Sequence, residues 1–253
     1  MTIILNYGGG RQTAAICALV AQGVLPKPDR IIIADTGREN PTTWHYLRDF
    51  TRPAMKQIGL EIERIPPRSF YDLWSANGNT ILIPVWLANG TMSSFCSGTW
   101  KRDRMDSYLR ETGTREGIRW IGFAADEKKR INRMKRSDRT PQWQFRFPLA
   151  EMGMTTAEAC LAVERHGWPI PEVSSCWLCP RKKNREWKLI RDEYPALWEQ
   201  ACIADEEIRE EDFERGGTGM WLHHSLKPLR IADLDAKDEA SGSRVCSLGV
   251  CFV

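Results

Sequence analysis

"NYGGGRQTAA", residues 6–15, stands directly behind the apolar run Thr2-Ile3-Ile4-Leu5. Gly8, Gly9 and Gly10 end a strand, and a helix-forming stretch starts at once with Arg11, Gln12 and Thr13. A glycine turn between strand and helix lets backbone N–H groups approach an anion with no Cβ in the way. The helix behind it adds about half a positive charge at its first turn. Phosphate is the usual guest of such a turn; a tight turn that merely packs is the alternative reading. Neither common glycine loop is present. No Gly-Lys-Ser/Thr follows, and residue 13 is Thr where G-x-G-x-x-G needs glycine.

Working outward, strand and helix patterns alternate. Ile3 to Asn6 reads as strand, Thr13 to Gln22 as helix, and Arg30 to Ala34 as a second strand apolar enough to be buried on both faces. Thr42 to Ile58 reads as helix, Leu60 to Ile65 as strand and Ser69 to Ala76 as a short helix, with a turn over Asn77 to Asn79. Thr99 to Glu111 follows as helix and Gly117 to Gly122 as strand. The alternation predicts an α/β fold, a parallel sheet with helices on both faces. After about residue 150 the pattern turns helical, over Thr155 to Arg165, Asn184 to Asp192 and Pro195 to Glu211, and a polar tail runs to Val253. The expected organisation is an α/β domain over 1–150 and a helical, cysteine-containing region over 151–253.

The 253 residues are 42% hydrophobic, enough for a substantial core. No apolar stretch approaches membrane-span length, and the first residues read as a strand rather than a signal peptide, so a cytoplasmic protein without a membrane partner is expected. A net charge of +3 says little, but its distribution is uneven. Residues 128–139, KKRINRMKRSDR, hold seven basic side chains and one acid, and residues 181–188, RKKNREWK, hold five and one. Each run is either a solvated face or a phosphate contact on a nucleotide or nucleic acid.

Of eight cysteines, Cys17, Cys160 and Cys202 fall inside helical patterns and read as packing residues. Cys176 and Cys179 form a C-x-x-C followed by Pro180, which lets two thiolates from one turn face one metal centre. A redox pair is the other functional reading of that spacing. Cys96 lies far upstream, and Cys246 and Cys251 close the chain.

The glycine turn resembles the pyrophosphate loop of the adenine nucleotide alpha-hydrolase families, whose consensus is Ser-Gly-Gly-Lys-Asp-Ser. Tyr7, Gly8, Gly9, Gly10, Arg11, Gln12 and Thr13 occupy that slot, with Arg11 in place of lysine and Thr13 in place of serine. Tyr7 and Gln12 depart from the consensus. Asp35-Thr36-Gly37-Arg38-Glu39-Asn40-Pro41 resembles the Asp-Thr-Gly signature of the phosphoadenosine phosphosulfate reductase-like family, and the segment from Gly122 through Asp126 to Arg130 resembles a later turn of it. The resemblance implies a Rossmann-like, HUP-type sheet binding ATP or an adenylyl sulfate-type nucleotide, with Mg2+ as an accompanying ion. It places Asp35, Thr36, Gly37, Gly122 and Arg130 at the nucleotide, and Arg11, Asp35, Lys101, Asp126 and Cys246 in catalytic roles.

Iron–sulfur members of that family hold a [4Fe–4S] cluster with a cysteine ahead of a Trp-Lys pair and a C-x-x-C about eighty residues on. Cys96, ahead of Trp100-Lys101, and Cys176 and Cys179 match those positions. The resemblance leaves the fourth ligand open between Cys246, Cys251 and an exogenous group, with Cys251 preferred, and zinc is the alternative metal.

Three functions are open at this level. The first is adenylation and sulfur transfer to a nucleic acid (tRNA or DNA, met by the two basic runs) or a nucleotide, with a sulfur-donor protein. The second is reduction of adenylyl sulfate or its 3′-phosphate to sulfite, with a reductase partner. The third is a nucleotide- and cluster-binding regulator in a bacterial or phage-infected cell.

Overall fold

The computed structural model describes residues 1–67, 73–75, 80–92, 96–137 and 142–237, with the backbone alone at 97, 136 and 137. In chain order the elements are β1 (Ile3–Asn6), α1 (Arg11–Ala21), β2 (Arg30–Ala34), α2 (Pro41–Tyr46), α3 (Arg52–Gln57), β3 (Ile62–Ile65), β4 (Trp86–Leu87) and β5 (Gly90–Thr91). There follow α4 (Asp103–Glu111), β6 (Gly117–Ile121), α5 (Lys128–Ser137), β7 (Trp143–Arg146), α6 (Pro148–Glu151), α7 (Thr156–Arg165), α8 (Asn184–Glu193) and α9 (Pro195–Glu214). None of these helices is long and apolar enough to cross a membrane.

The chain divides into two compact units, one from Met1–Phe70 and Ser97–Ser175, the other from Tyr71–Cys96 and Cys176–Ser247. The division expected near residue 150 thus falls at 175/176, and the stretch from 71 to 96 leaves the first unit. The reason is packing. Ala159, Ala162 and Val163 of α7 are buried in one cluster with Ala14, Ile16 and Val20 of α1, so α7 belongs with the sheet.

The first unit is an α/β fold. Five strands run parallel in the order β3-β2-β1-β6-β7. Strand periodicity sends alternate residues to opposite faces. Leu5, Ile31, Ile33 and Trp120 pack under α1 and α7, while Ile4, Ile32, Ala34 and Ile65 pack under Met105 and Leu109 of α4. Each such aliphatic side chain contributes roughly 1.5–3 kcal/mol by leaving water. The order reverses between β1 and β6, and in open parallel sheets ligands bind beside such a switch point, at the carboxyl ends of the strands.

Three local expectations change. The helix read over Thr42 to Ile58 carries a π-turn at Leu47–Thr51 between α2 and α3. Pro53 sits in the first turn of α3, where it cannot donate back to the preceding turn. A second π-turn, Ser97–Arg102, precedes α4. Residues 73–75, read as helix, are extended instead: Trp74 bridges Ile81, Leu82 N–H donates to Leu73 C=O at 2.7 Å, and Ser75 N–H to Thr80 C=O at 2.8 Å.

In the second unit, β4 and β5 form a hairpin whose Trp86 also pairs with Trp221 through two backbone hydrogen bonds of 2.8 and 3.0 Å. Helices α8 and α9 bury Trp187, Ile190, Ala201, Cys202 and Ile208. Burial pushes the Cys202 thiol up to about 12, as befits a packing residue. The buried Asp205 carboxylate accepts N–H bonds from Leu222 and Leu229, both 2.8 Å, and so fixes the loop after α9.

Candidate functional site

Tyr7 N–H donates to Ile32 C=O at 2.8 Å and holds the start of the glycine turn against β2. The Tyr7 ring turns into the core, where its hydroxyl meets Thr51 Oγ1 at 2.9 Å. Burial pushes its phenol well above the ordinary tyrosine range. Tyr7 therefore offers the crevice only its backbone. Gly9 has φ +73°, and a Cβ there would lie 2.3 Å from Thr43 Cγ2 of α2. Both facts require glycine.

Gly10 is the N-cap of α1, without a side-chain cap and with no acid in the first turn. Among the described residues, no protein acceptor receives the N–H groups of Gly8, Gly9, Gly10, Arg11, Gln12 or Thr13. The positive end of an 11-residue helix is thus left uncompensated at the switch point. Arg11 adds a full charge and is steadied by a 3.3 Å bond from Nε to Pro171 C=O. The Thr13 hydroxyl is already spent on Gly10 C=O at 3.1 Å, so it meets an incoming phosphate only as an acceptor or after turning. Ser174 braces the turn from outside, its Oγ–H donating to Gly8 C=O at 2.6 Å.

The loop after β2 supplies one wall. Asp35 Oδ1 accepts from Gly37 N–H at 2.7 Å, and Oδ2 pairs with Arg64. The Thr36 hydroxyl oxygen accepts from Arg38 N–H at 3.3 Å. These groups shape the loop. Glu39 is the residue whose sequence reading was open between the start of α2 and the chemistry. Its side chain is only 2% exposed, Oε1 meets Lys101 Nζ at 2.5 Å, and Oε2 has no partner among the described residues. Lys101, expected to be catalytic, is thereby held by an acid of the signature loop. The signal was Glu39 itself, but its partner lies on a different helix.

The loop after β6 supplies the other wall. Gly122 was expected to admit adenine; a Cβ there would instead meet Thr13 Cγ2 at 2.7 Å, so its bareness serves the approach of β6 to α1. Asp126 is exposed and caps α7, accepting from Thr156 N–H at 3.1 Å and from its hydroxyl at 3.0 Å. Glu127 accepts from Gln12 Nε2 at 3.3 Å and from Ala124 N–H at 3.0 Å, and it pairs with Arg130. Arg130 is buried over the Phe123 ring at 4.3 Å, and burial lowers its pKa against the pull of Glu127. Gln12, the position where the resembled consensus has an acid, therefore joins the first turn of α1 to the wall after β6.

No protein-family model and no curated protein matches the chain.

The cysteine constellation belongs to the second unit, which contains Cys96, Cys176 and Cys179. Cys179 N–H donates to Cys176 C=O at 3.0 Å, closing a tight turn. Cys176 Sγ accepts from Leu178 N–H at 3.4 Å. Burial raises the Cys179 thiol, against the lowering influence of Lys182 and the Arg181 backbone. An N–H donor at the Cys176 sulfur stabilises thiolate charge there, as ligation to iron or zinc requires. The turn is tied toward the Cys96-bearing segment: Trp86 Nε1–H donates to Pro180 C=O at 2.7 Å, and Arg181 donates to Met92 C=O at 2.9 Å. Among the described residues no three His, Cys, Asp or Glu side chains stand together as a metal site. The Cys176–Cys179 pair fits thiolate ligation, and Cys246 and Cys251 lie outside the described residues.

The two basic runs differ. In 181–188, Lys182 is buried, Lys188 pairs with Asp235 and Trp187 is wholly buried, so no base stacks on it. In 128–135, Lys128, Lys129 and Lys135 are exposed. His223 is buried and hydrogen-bonds Asn184 and Ser225, a structural role.

Proposed function

We propose that the first unit binds an adenine nucleotide by its phosphates at the start of α1, and that the protein couples it to sulfur chemistry at cysteine thiolates. The carrying observation is the run of backbone N–H groups from Gly8 to Thr13 without acceptors among the described residues, at a helix start with no acid and beside Arg11, at the sheet's switch point. The most concrete form is adenylation followed by sulfur transfer. An acceptor oxygen of a nucleic acid or nucleotide attacks the α-phosphorus of ATP and pyrophosphate leaves. Sulfide from a donor then forms a new bond to the acceptor atom as its bond to the adenylylated oxygen breaks, and AMP departs. Arg11 and the loop N–H groups hold the pyrophosphate, and Lys101, fixed by Glu39, presents a positive charge for the departing phosphates. Cys96, Cys176 and Cys179 would hold a [4Fe–4S] cluster, or zinc; such a cluster supplies sulfur-carrying chemistry when bound.

Reduction of adenylyl sulfate to sulfite is favoured by one observation. The neutral Gln12 is engaged by a carboxylate that Arg130 already pairs, which leaves that corner without a free acid for metal-bound pyrophosphate. Anaerobically reconstituted protein separates the two readings. Pyrophosphate release from ATP, stimulated by tRNA or DNA, supports sulfur transfer; sulfite from adenylyl sulfate with thioredoxin supports reduction. Nucleotide binding without either product would leave a regulator. Titration calorimetry that finds no ATP or adenylyl sulfate binding, or equal binding by Arg11→Ala, overturns the cradle itself.

A further inference from the structure

We propose that the exposed face of α5 is a sequence-independent contact for the phosphodiester backbone of a nucleic acid. This deepens the proposed function by naming the acceptor's class, and it rests on that reading for its purpose. Helix α5, KKRINRMKRS, contains no acid. Its first two residues, Lys128 and Lys129, are exposed and form no ion pair among the described residues. Cations in a first turn oppose the helix dipole, so their placement costs stability and concentrates positive potential at one end. Of the two acids just before that turn, Glu127 is committed to Arg130 and Gln12, and Asp126 accepts from the Thr156 N–H and hydroxyl. One full stretch farther along, the exposed Lys135 lies over the Phe147 ring at 5.9 Å, while the neighbouring Glu151 is paired with Arg146.

From Lys128 to Lys135 the helix rises about 10 Å, which spans roughly three base steps along one strand. Lysines are point charges suited to phosphates rather than to bidentate base reading. A membrane is disfavoured because the apolar side of α5 is already used. Met134 is buried with Ile121, Phe123 and Phe147, so no apolar face is left to insert. The location also suits the chemistry: α5 follows directly on Glu127, which touches Gln12 of the cradle. The run at 181–188, by contrast, is largely internal or paired.

The test is fluorescence anisotropy with a labelled single-stranded oligonucleotide of about 20 nucleotides, titrated at salt from about 50 to 200 mM. The triple variant Lys128→Glu, Lys129→Glu, Lys135→Glu should bind at least tenfold more weakly. Its log–log salt slope should be shallower by roughly two, near 0.7 for each lost phosphate contact. A control with the same charge change at exposed positions elsewhere, Arg185→Glu, Lys227→Glu, Lys237→Glu, should keep both. Equal losses in the two triples, or none in the first, overturn the proposal. So does equally tight, α5-dependent binding of polyglutamate or of anionic lipid vesicles. ATP calorimetry on the same proteins keeps the two readings apart. ATP binding with no α5-dependent oligonucleotide binding removes this inference alone, and the reverse result removes the nucleotide reading alone.

Discussion

The Ser174 hydroxyl donates to the Gly8 carbonyl at 2.6 Å, joining the glycine turn to a residue 166 positions away. Ser174 is buried, and its neighbour Ser175 accepts a 3.0 Å bond from Asn40 N–H at the start of α2. The extended segment before Cys176 therefore clamps both the glycine turn and the helix beside it. Ser174→Ala leaves the Gly8 carbonyl without its donor, at a cost of about 1–3 kcal/mol. Part of that appears as a looser turn. ATP affinity should fall roughly three- to tenfold, measured by calorimetry, while far-UV circular dichroism stays unchanged. Unaltered affinity would mean that the turn needs no brace.

Gly9 makes a sharper prediction because its two requirements can be separated. Gly9→Ala places a methyl 2.3 Å from Thr43 Cγ2 and holds alanine at φ +73°. The clash and the left-handed backbone together should cost about 2–4 kcal/mol. Thr43→Ser removes the clashing methyl but not the backbone strain. The double variant should recover the steric share and remain about 1–2 kcal/mol below the Thr43→Ser protein. Urea unfolding of the four proteins gives the coupling; additive losses would contradict the contact.

Acid stability should carry the mark of Glu63. Arg30 donates to both its oxygens, at 2.8 and 2.6 Å, and Tyr108 adds a 2.9 Å bond. The Arg30 hydrogen bonds hold this carboxyl below the usual glutamate range, against a smaller opposing effect of burial. A depressed carboxyl contributes fully above its unfolded value of about 4.3, and the contribution is lost as pH falls through the lower folded value. The pair is partly exposed, so solvent keeps the effect to about 1 kcal/mol. Glu63→Gln should therefore lower the melting temperature at pH 7, and its difference from the parent should shrink progressively as pH falls below about 4. A constant difference across that window would assign the loss to packing.

The sheet was legible because parallel strands buried on both faces are written as short apolar runs, and Ile31-Ile32-Ile33 is one. The glycine turn was legible because its bareness is local. What escaped depends on distant partners. β7 is an edge strand whose Trp143 and Phe145 alternate with Gln144 and Arg146, a pattern that shows as a strand only once β6 lies beside it. Tyr7 reads as a loop residue until Thr51 receives its hydroxyl. The stretch from 71 to 96 joins the second unit through the pairing of Trp86 with Trp221, which no local pattern encodes. Gly122 and Asp126 look like ligand residues in sequence, and their contacts with α1 and α7 are long-range ones that no local pattern encodes.

The last prediction concerns metal. The Leu178 N–H points at the Cys176 sulfur, and Trp86 and Arg181 fasten the Cys176–Cys179 turn to the segment leading to Cys96. That donor favours thiolate at Cys176, and a thiolate pair on a fixed turn binds metal with little reorganisation. Protein purified without oxygen should contain iron or zinc in stoichiometric amount, by elemental analysis. Removal with a chelator should lower the melting temperature, because metal that binds only the folded chain adds to its stability. Cys176→Ala and Cys179→Ala should each lose the metal, whereas Cys160→Ala should retain it. Trp86→Phe keeps every sulfur but removes the bond to Pro180. It should weaken metal retention in a chelator titration by roughly tenfold, the usual scale for a supporting contact around a metal site. Full retention in Trp86→Phe would show that the turn holds its shape unaided, and stoichiometric metal in the Cys176→Ala protein would remove the turn from the metal site altogether.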